Sequence, residues 1–191
     1  MDRFLSSSLT RMFVFSMAVF AGSLFLGLRM YESTGGTGEA GNMIEQLAQL
    51  MAPIGLLSPP LVMAVIFLNN SIKALVVIIL GYSLGLVPFF FLVVNGLIIG
   101  LVVASFSGIV GSWTVVLALL PHGIIELPAL LLAAALGFRV GAAVLNRILG
   151  REGRPGRELK HGLAVYAKVI VPALFIASAI ETFVTPLIMG R

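Results

Sequence analysis

The chain has 191 residues, of which 59% are hydrophobic and only 10% are charged. A soluble domain carries roughly 25% charged residues, so this composition excludes an ordinary soluble domain and indicates a polytopic membrane protein. The absence of cysteine excludes disulfides and thiolate metal sites. The formal net charge is +4, but the basic residues lie beside apolar runs, where they set topology and contact anionic lipid. We therefore expect the lipid bilayer, and no nucleic acid, as a partner.

Five apolar runs are long enough to cross a bilayer, since a transmembrane helix needs roughly 20 apolar residues. They predict an all-α fold in which residues 1–191 form a single integral membrane domain. The five predicted transmembrane helices cover residues 12–29, 60–80, 86–105, 113–138 and 163–188. The first run follows basic residues, as a signal peptide would, but it has no A-x-A-like cleavage site. We therefore expect it to stay in the protein as the first helix.

The segments between these runs differ in charge. Residues 30–58 are rich in glycine and glutamate, and their apolar residues recur at helical spacing. This outer segment fits either an amphipathic surface helix or a packed loop. Residues 139–162 are predicted to form a basic loop, and further basic residues precede the first run. The positive-inside rule then places the N-terminus and this loop in the cytoplasm, and the C-terminus of a multi-pass cell-membrane protein outside.

Small residues recur four apart in several of the predicted helices. These stripes are Ala18 and Gly22 in the first helix, Gly96, Gly100, Ala104 and Gly108 in the third, and Ala129, Ala133, Gly137 and Gly141 in the fourth. Such stripes let another helix approach at backbone distance. Because several helices carry them, we expect a homo-oligomer, with a dimer as its simplest form.

Amide and ionisable side chains interrupt the apolar runs at similar depths. They are Asn69, Asn70 and Lys73 in the second helix, Asn95 in the third, His122 and Glu126 in the fourth, and Glu181 in the fifth. At 1.5 Å of rise per residue, they lie roughly 10–20 Å from the outer ends of their helices. Each is costly alone in hydrocarbon. We therefore predict one interior polar cluster, with an ion pair between Lys73 and Glu126.

Two prolines and a glycine interrupt the fourth predicted helix around its ionisable residues. Pro121 and Pro128 bracket His122 and Glu126, and Gly123 lies between them. A proline inside a helix removes a backbone donor and clashes with the preceding turn. We therefore predict a helix that is kinked or broken between Pro121 and Pro128. Discontinuous helices at mid-membrane are typical of transporters, although kinked helices without a transport role are also common.

The sequence PHGIIELPA at residues 121–129 resembles the signature of the stage II sporulation protein M family of small integral membrane proteins. FLNN at residues 67–70, Asn95-Gly96, and IETFVTP at residues 180–186 support the resemblance, which covers most of residues 60–188. The resemblance implies a membrane scaffold, because the sporulation member assembles with a peptidoglycan lytic transglycosylase and an amidase. Family members also occur in organisms that do not sporulate, so the resemblance does not fix the process.

Three functions fit these patterns. The first is a non-enzymatic scaffold or complex subunit, bound to other membrane or cell-envelope proteins, in which the polar cluster locks the helix bundle. The alternative is a permease or channel-like transporter of a small solute or ion, in which His122 and Glu126 relay protons or bind a cation. The second alternative is an intramembrane metal-binding protein.

The metal-binding alternative has a specific set of candidate ligands. His122, Glu126 and Glu181 would hold zinc or another divalent cation, since catalytic zinc takes three protein ligands and an open position. The chain lacks the second histidine of the His-Glu-x-x-His motif. We therefore expect no cofactor and no enzymatic activity.

Overall fold

Five helices long and apolar enough to cross a membrane make up the fold. The structure, a computed structural model, describes residues 2–35, 42, 44–46, 49 and 57–184, without the side chains of residues 2–6, 109–110, 112–114 and 116–122. Within those ranges all regular structure is helical, which confirms the predicted all-α membrane bundle. Most of the predicted outer segment at residues 30–58 lies outside the described residues.

Four of the five observed helices are longer than the predicted ones, and α2 has the predicted length of 21 residues. They are α1 (Asp2–Ser33), α2 (Pro59–Ile79), α3 (Leu86–Val110), α4 (Ser112–Ile148) and α5 (Pro155–Val184). A short 3₁₀ turn at Leu80–Tyr82 follows α2. Within α5, π-helical turns occur at Tyr166–Ile170 and Ile180–Val184.

The predicted basic loop at residues 139–162 is mostly helical. Because α4 continues to Ile148 and α5 begins at Pro155, only residues 149–154 connect the two helices. Arginine, lysine and glutamate are good helix formers, so both helices continue into the polar segment. The polarity of this segment therefore does not mark the end of a helix.

Helix α4 is the centre of the bundle. In its most apolar stretch of 18 residues, 67% is buried, against 22–28% for the corresponding stretches of the other four helices. One face of α4, with Ala133 and Leu136, packs against Ile78 of α2 and Leu174 of α5. A second face packs against α1 and α3 in a cluster that includes Phe20, Leu92, Leu131, Ala134 and Phe138. The other four helices therefore lie in two pairs on opposite sides of α4.

Glycines on α4 bring its backbone against the α2–α3 connection, as the predicted small-residue stripe requires. A Cβ atom added to Gly137 would lie 2.6 Å from Val77 O and 2.7 Å from Pro88 Cγ. One added to Gly141 would lie 2.5 Å from the backbone nitrogen of Gly85. Gly85 has a φ of 84° just before α3, a conformation that glycine adopts without strain. These contacts leave no room for a side chain.

Helices α1 and α3 also meet at backbone distance. A Cβ atom added to Gly27 would lie 3.1 Å from Gly100 Cα and would overlap Leu97 O. A Cβ atom on Gly96 would lie 2.7 Å from Ser23 Cβ. The predicted stripe on α3 is therefore correct at Gly96 and Gly100.

The predicted stripe on α1 makes no contact within the described part of the chain. Ala18 and Gly22 lie on its exposed side, and a Cβ atom on Gly22 would meet nothing within 4 Å. The buried side of α1 instead includes Ser16, Ser23 and Gly27. The hydroxyls of the two serines donate to carbonyls of their own helix, 2.9 Å and 2.8 Å away. Two serines and Gly27, rather than Ala18 and Gly22, therefore form the small-residue face of α1 inside the bundle.

Helix α4 is not broken at its prolines. It runs without interruption from Ser112 to Ile148, past Pro121 and Pro128. A proline in a membrane helix removes one hydrogen bond, and packing of neighbouring helices makes this tolerable. The helix is therefore not broken between Pro121 and Pro128, whereas a kink there stays a prediction.

The chain runs back and forth so that three of its segments meet at one end of the bundle. Gly141 of α4 lies against Gly85, and Gly162 of α5 lies near Ile78 Cγ2 of α2. Ser8 of α1 shares a cavity with residues 152–154. We call this part, formed by the start of α1, residues 80–85 and residues 139–158, the basic end.

Candidate functional site

A cavity of about 160 Å³ lies between α1, α3 and α4 near the middle of the bundle. Its walls are apolar except for Asn95 and Glu126. Asn95 precedes the turn at Gly111 by sixteen residues, and Glu126 follows that turn by fifteen. At 1.5 Å per residue, both lie about 23 Å from the turn. The structure therefore places two of the predicted polar residues in one cavity at one depth.

Only the nitrogen end of the Asn95 amide is hydrogen-bonded to the described part of the chain. Its Nδ2 donates to Phe91 O in its own helix, at 2.7 Å. Its Oδ1 accepts no hydrogen bond from the part of the chain that the structure describes. Glu126 is half-buried on the facing helix. An acceptor oxygen and a carboxyl group therefore stand at a cavity whose other walls are apolar.

His122 lies one turn before Glu126 in α4, but its side chain lies outside the described residues. The predicted pairing of His122 with Glu126 on one helix face thus stays a prediction. The same holds for the side chain of Pro121. Gly123 does line the cavity, and a Cβ atom added to it would meet nothing within 4 Å.

The polar residues of α2 lie apart from this cavity. Asn69 and Lys73 are exposed, whereas Asn70 is buried and accepts a long 3.5 Å hydrogen bond from Asn69 Nδ2. None of these three side chains lines the cavity. The structure describes the side chains of Lys73 and Glu126 and places no ion pair between them. Lys73 is exposed on α2, and a long lysine side chain at such a position keeps its charged end toward the membrane surface.

Glu181 lies in the second π-helical turn of α5, where it is half-buried. It does not line the cavity that holds Asn95 and Glu126. Among the described residues, no group of three or more histidine, aspartate and glutamate side chains could hold a metal ion. The predicted ligand set of His122, Glu126 and Glu181 includes one side chain outside that description.

Two polar contacts in the bundle were not predicted. Arg139 of α4 is only 5% exposed, and its Nη2 lies 2.5 Å from Oε2 of Glu158 in α5. Tyr166 in the first π-helical turn donates its hydroxyl to Ser71 O of α2 at 3.1 Å. The apolar residues on both sides of Arg139 in the sequence LGFRVGAAV are the signal that could have predicted its burial. Both contacts hold α5 to the bundle.

The family model for stage II sporulation protein M matches residues 12–186. An uncharacterised protein from Methanocaldococcus jannaschii is 31% identical over 123 residues, which cover 62% of this chain and 68% of that relative. A second uncharacterised protein from the same organism is 32% identical over 108 residues, or 56% of this chain. The match covers about half, 49%, of the second relative's length. No solved structure matches the chain significantly.

Proposed function

The chain belongs to the stage II sporulation protein M family, and we propose that it acts as a non-enzymatic membrane scaffold or complex subunit. The observation that supports this role is the backbone-level packing of α4 against its neighbours at Gly137 and Gly141. Such contacts make a bundle whose shape is fixed. A fixed bundle presents constant outer surfaces, which is what a protein that holds other envelope proteins in place requires.

A co-purification experiment tests this role. The full chain is purified from its native membranes, in parallel with Glu126→Gln and Gly137→Leu variants, and bound proteins are quantified by mass spectrometry. We expect one membrane or envelope protein at a fixed ratio with the wild type and with Glu126→Gln, since the cavity has no part in assembly. The Gly137→Leu variant, which forces α4 away from α2 and α3, should lose it. Absence of any fixed-ratio companion would argue against a scaffold.

A second candidate is a permease or channel-like transporter of a small solute or ion. The observation that favours it is the presence of Asn95 and Glu126 at one mid-membrane cavity. In proteoliposomes, a transporter should carry protons or monovalent cations, and Glu126→Gln should abolish that flux. Glu32→Gln is the matched control, because Glu32 is exposed and pairs with Arg29 outside the cavity. Flux indistinguishable from that of empty liposomes would remove this candidate for the ions tested.

A third candidate is binding of zinc or another divalent cation by His122, Glu126 and Glu181. It is supported by residue type alone. Metal analysis of the purified protein, with and without Glu126→Gln, tests it: a stoichiometric metal that the variant loses would support the site.

The chain forms a multi-pass membrane protein, and we propose that the basic end faces the cytoplasm. Residues 139–160 hold six basic and two acidic side chains, and such an excess stays on the cytoplasmic side. The N-terminus then lies in the cytoplasm and the C-terminus outside. We also propose a homo-oligomer, with a dimer as its simplest form, and the mass of the purified protein in nanodiscs measures this directly.

A further inference from the structure

A second cavity, of about 190 Å³ and with many polar residues in its lining, lies at the basic end and has no part in the proposed scaffold role. It is formed by α1, α4, the 149–154 connection and the start of α5. Its polar lining comes from Ser8, Arg139, Asn146, Glu152, Arg154 and Glu158. A cavity that exceeds roughly 10–15 Å³ can hold a water molecule. This cavity can therefore hold a much larger polar group.

Arg139 in the wall of this cavity is buried but incompletely paired. Its Nη2 forms an ion pair with Oε2 of Glu158, but neither that buried oxygen nor the buried Nη1 of Arg139 has a hydrogen-bond partner among the described residues. A buried guanidinium donor without a partner is costly, and such groups commonly mark an unseen water or ion. The planar guanidinium can contact a carboxylate on one side and a phosphate on another, since it has five donors.

The surroundings of Arg139 favour an anion. Arg154 also lines the cavity and is exposed, so it can move toward a ligand. Helix α5 begins beside the cavity, at Pro155, and no side chain caps its first turn. A helix N-terminus carries a partial positive charge that attracts anions. The cavity lining itself holds two arginines and two glutamates, so the attraction comes from the helix N-terminus and from the excess of basic side chains in the surrounding residues 139–160.

The concentration of charge at the basic end indicates that the cavity lies near the edge of the membrane. Gly141 touches Gly85, which directly precedes the membrane-spanning part of α3. Arg139 lies two residues from Gly141, about 3 Å along the helix axis. Lipid phosphates occupy this height, and Arg side chains bind phosphate through paired hydrogen bonds. We propose that this cavity binds a phosphate group, with Arg139 and Arg154 as its cationic contacts and Asn146 as a neutral one.

Two substitutions separate the cavity from general surface charge. Arg154→Gln removes a cationic contact from the cavity. Arg157→Gln is the control: it removes the same charge three residues further along the chain, at an exposed arginine that does not line the cavity. Asn146→Leu fills part of the cavity without a change of charge. These positions avoid Arg139, whose replacement would leave Glu158 without its partner and could prevent folding.

The test has two arms because the phosphate has two sources. In the first, delipidated full-length protein in detergent is titrated with phosphatidylglycerol or with diacylglycerol, which lacks phosphate, and bound lipid is measured by native mass spectrometry. In the second, inorganic phosphate is compared with chloride at equal ionic strength, and thermal unfolding is measured. We expect wild type and Arg157→Gln to bind alike and Arg154→Gln and Asn146→Leu about tenfold more weakly, equivalent to about 1.4 kcal/mol.

Each outcome of these titrations decides the proposal. Binding of phosphatidylglycerol that follows this order supports a lipid headgroup as the source. Stabilisation by inorganic phosphate in the same order, without the lipid effect, supports a soluble phosphate. The proposal is overturned if neither ligand binds, if diacylglycerol binds as well as phosphatidylglycerol, or if Arg157→Gln weakens binding as much as Arg154→Gln.

Discussion

Arg139 and Glu158 join α4 to α5 at the basic end, with 2.5 Å between Nη2 and Oε2. The arginine is almost fully buried, and the glutamate keeps about a fifth of its side chain exposed. Removal of one partner of a buried ion pair leaves an uncompensated charge. The contact therefore makes the α4–α5 hairpin depend on both residues together.

Glu158→Gln should destabilise the protein by about 3 kcal/mol, the lower part of the range for a broken buried pair, because Glu158 is not fully buried. Glu32→Gln should cost less than about 1 kcal/mol, since its pair with Arg29 is more than half exposed on both sides. Equilibrium unfolding in mixed micelles measures both values. Equal costs for the two variants would contradict the structural role of the Arg139–Glu158 pair.

Gly27→Ala in α1 should destabilise the bundle, whereas Gly22→Ala in the same helix should not. The new methyl at Gly27 would overlap Leu97 O and crowd Gly100, and overpacking of this kind costs about 1–3 kcal/mol. At Gly22 the methyl meets open space, so helix propensity alone should stabilise by up to about 1 kcal/mol. Unfolding free energies of the two variants, measured side by side, provide the comparison. A loss of stability at Gly22 comparable with that at Gly27 would contradict a close α1–α3 contact that is specific to Gly27.

Tyr166→Phe should cost about 1 kcal/mol, the usual net value of one hydrogen bond. The lost bond runs from the tyrosine hydroxyl to Ser71 O and links the first π-helical turn of α5 to α2. Tyr82→Phe is the matched control, because Tyr82 is exposed after α2. If both phenylalanine variants unfold at the same temperature as the wild type, the hydroxyl of Tyr166 has no role in holding α5.

Single cysteines should report opposite sides of the membrane at Thr34 and Arg151. The chain has no cysteine of its own, so Thr34→Cys and Arg151→Cys each carry one thiol. We expect an impermeant maleimide added to intact cells to label Thr34→Cys and to label Arg151→Cys only after the cells are opened. The reverse pattern would invert the proposed orientation, and labelling of both in intact cells would contradict an odd number of crossings between them.

The sequence predicted the number and order of the membrane helices because five long apolar runs have few other uses. It also predicted the packing stripe of α4, since small residues at four-residue spacing have a direct steric meaning. Helix ends were less accurate. The rise in charge after residue 138 predicted a helix end there, but α4 continues for ten more residues.

The sequence predicted the depth of the polar residues better than their direction. Asn95 and Glu126 line one cavity, because equal distance from one turn places two residues at one depth, while the predicted cluster of seven residues stays a prediction. Depth alone does not give the direction of a side chain around its helix. Asn69 and Lys73 therefore lie on the outer face of α2 although their depth is similar, whereas Asn70 is buried one residue away. The partner of Arg139 could not be predicted, since it depends on how α5 folds back along α4.

The contact between Gly81 and Gly137 has a consequence for motion within the bundle. A Cβ atom at Gly81 would overlap the carbonyl oxygen of Gly137, so no side chain lies between the two backbones. Such an interface has no rotamers to rearrange and loses no side-chain entropy when it forms. Helices α2, α3 and α4 should therefore move as one body, and α1 is fastened to that body through Gly27 and Gly100.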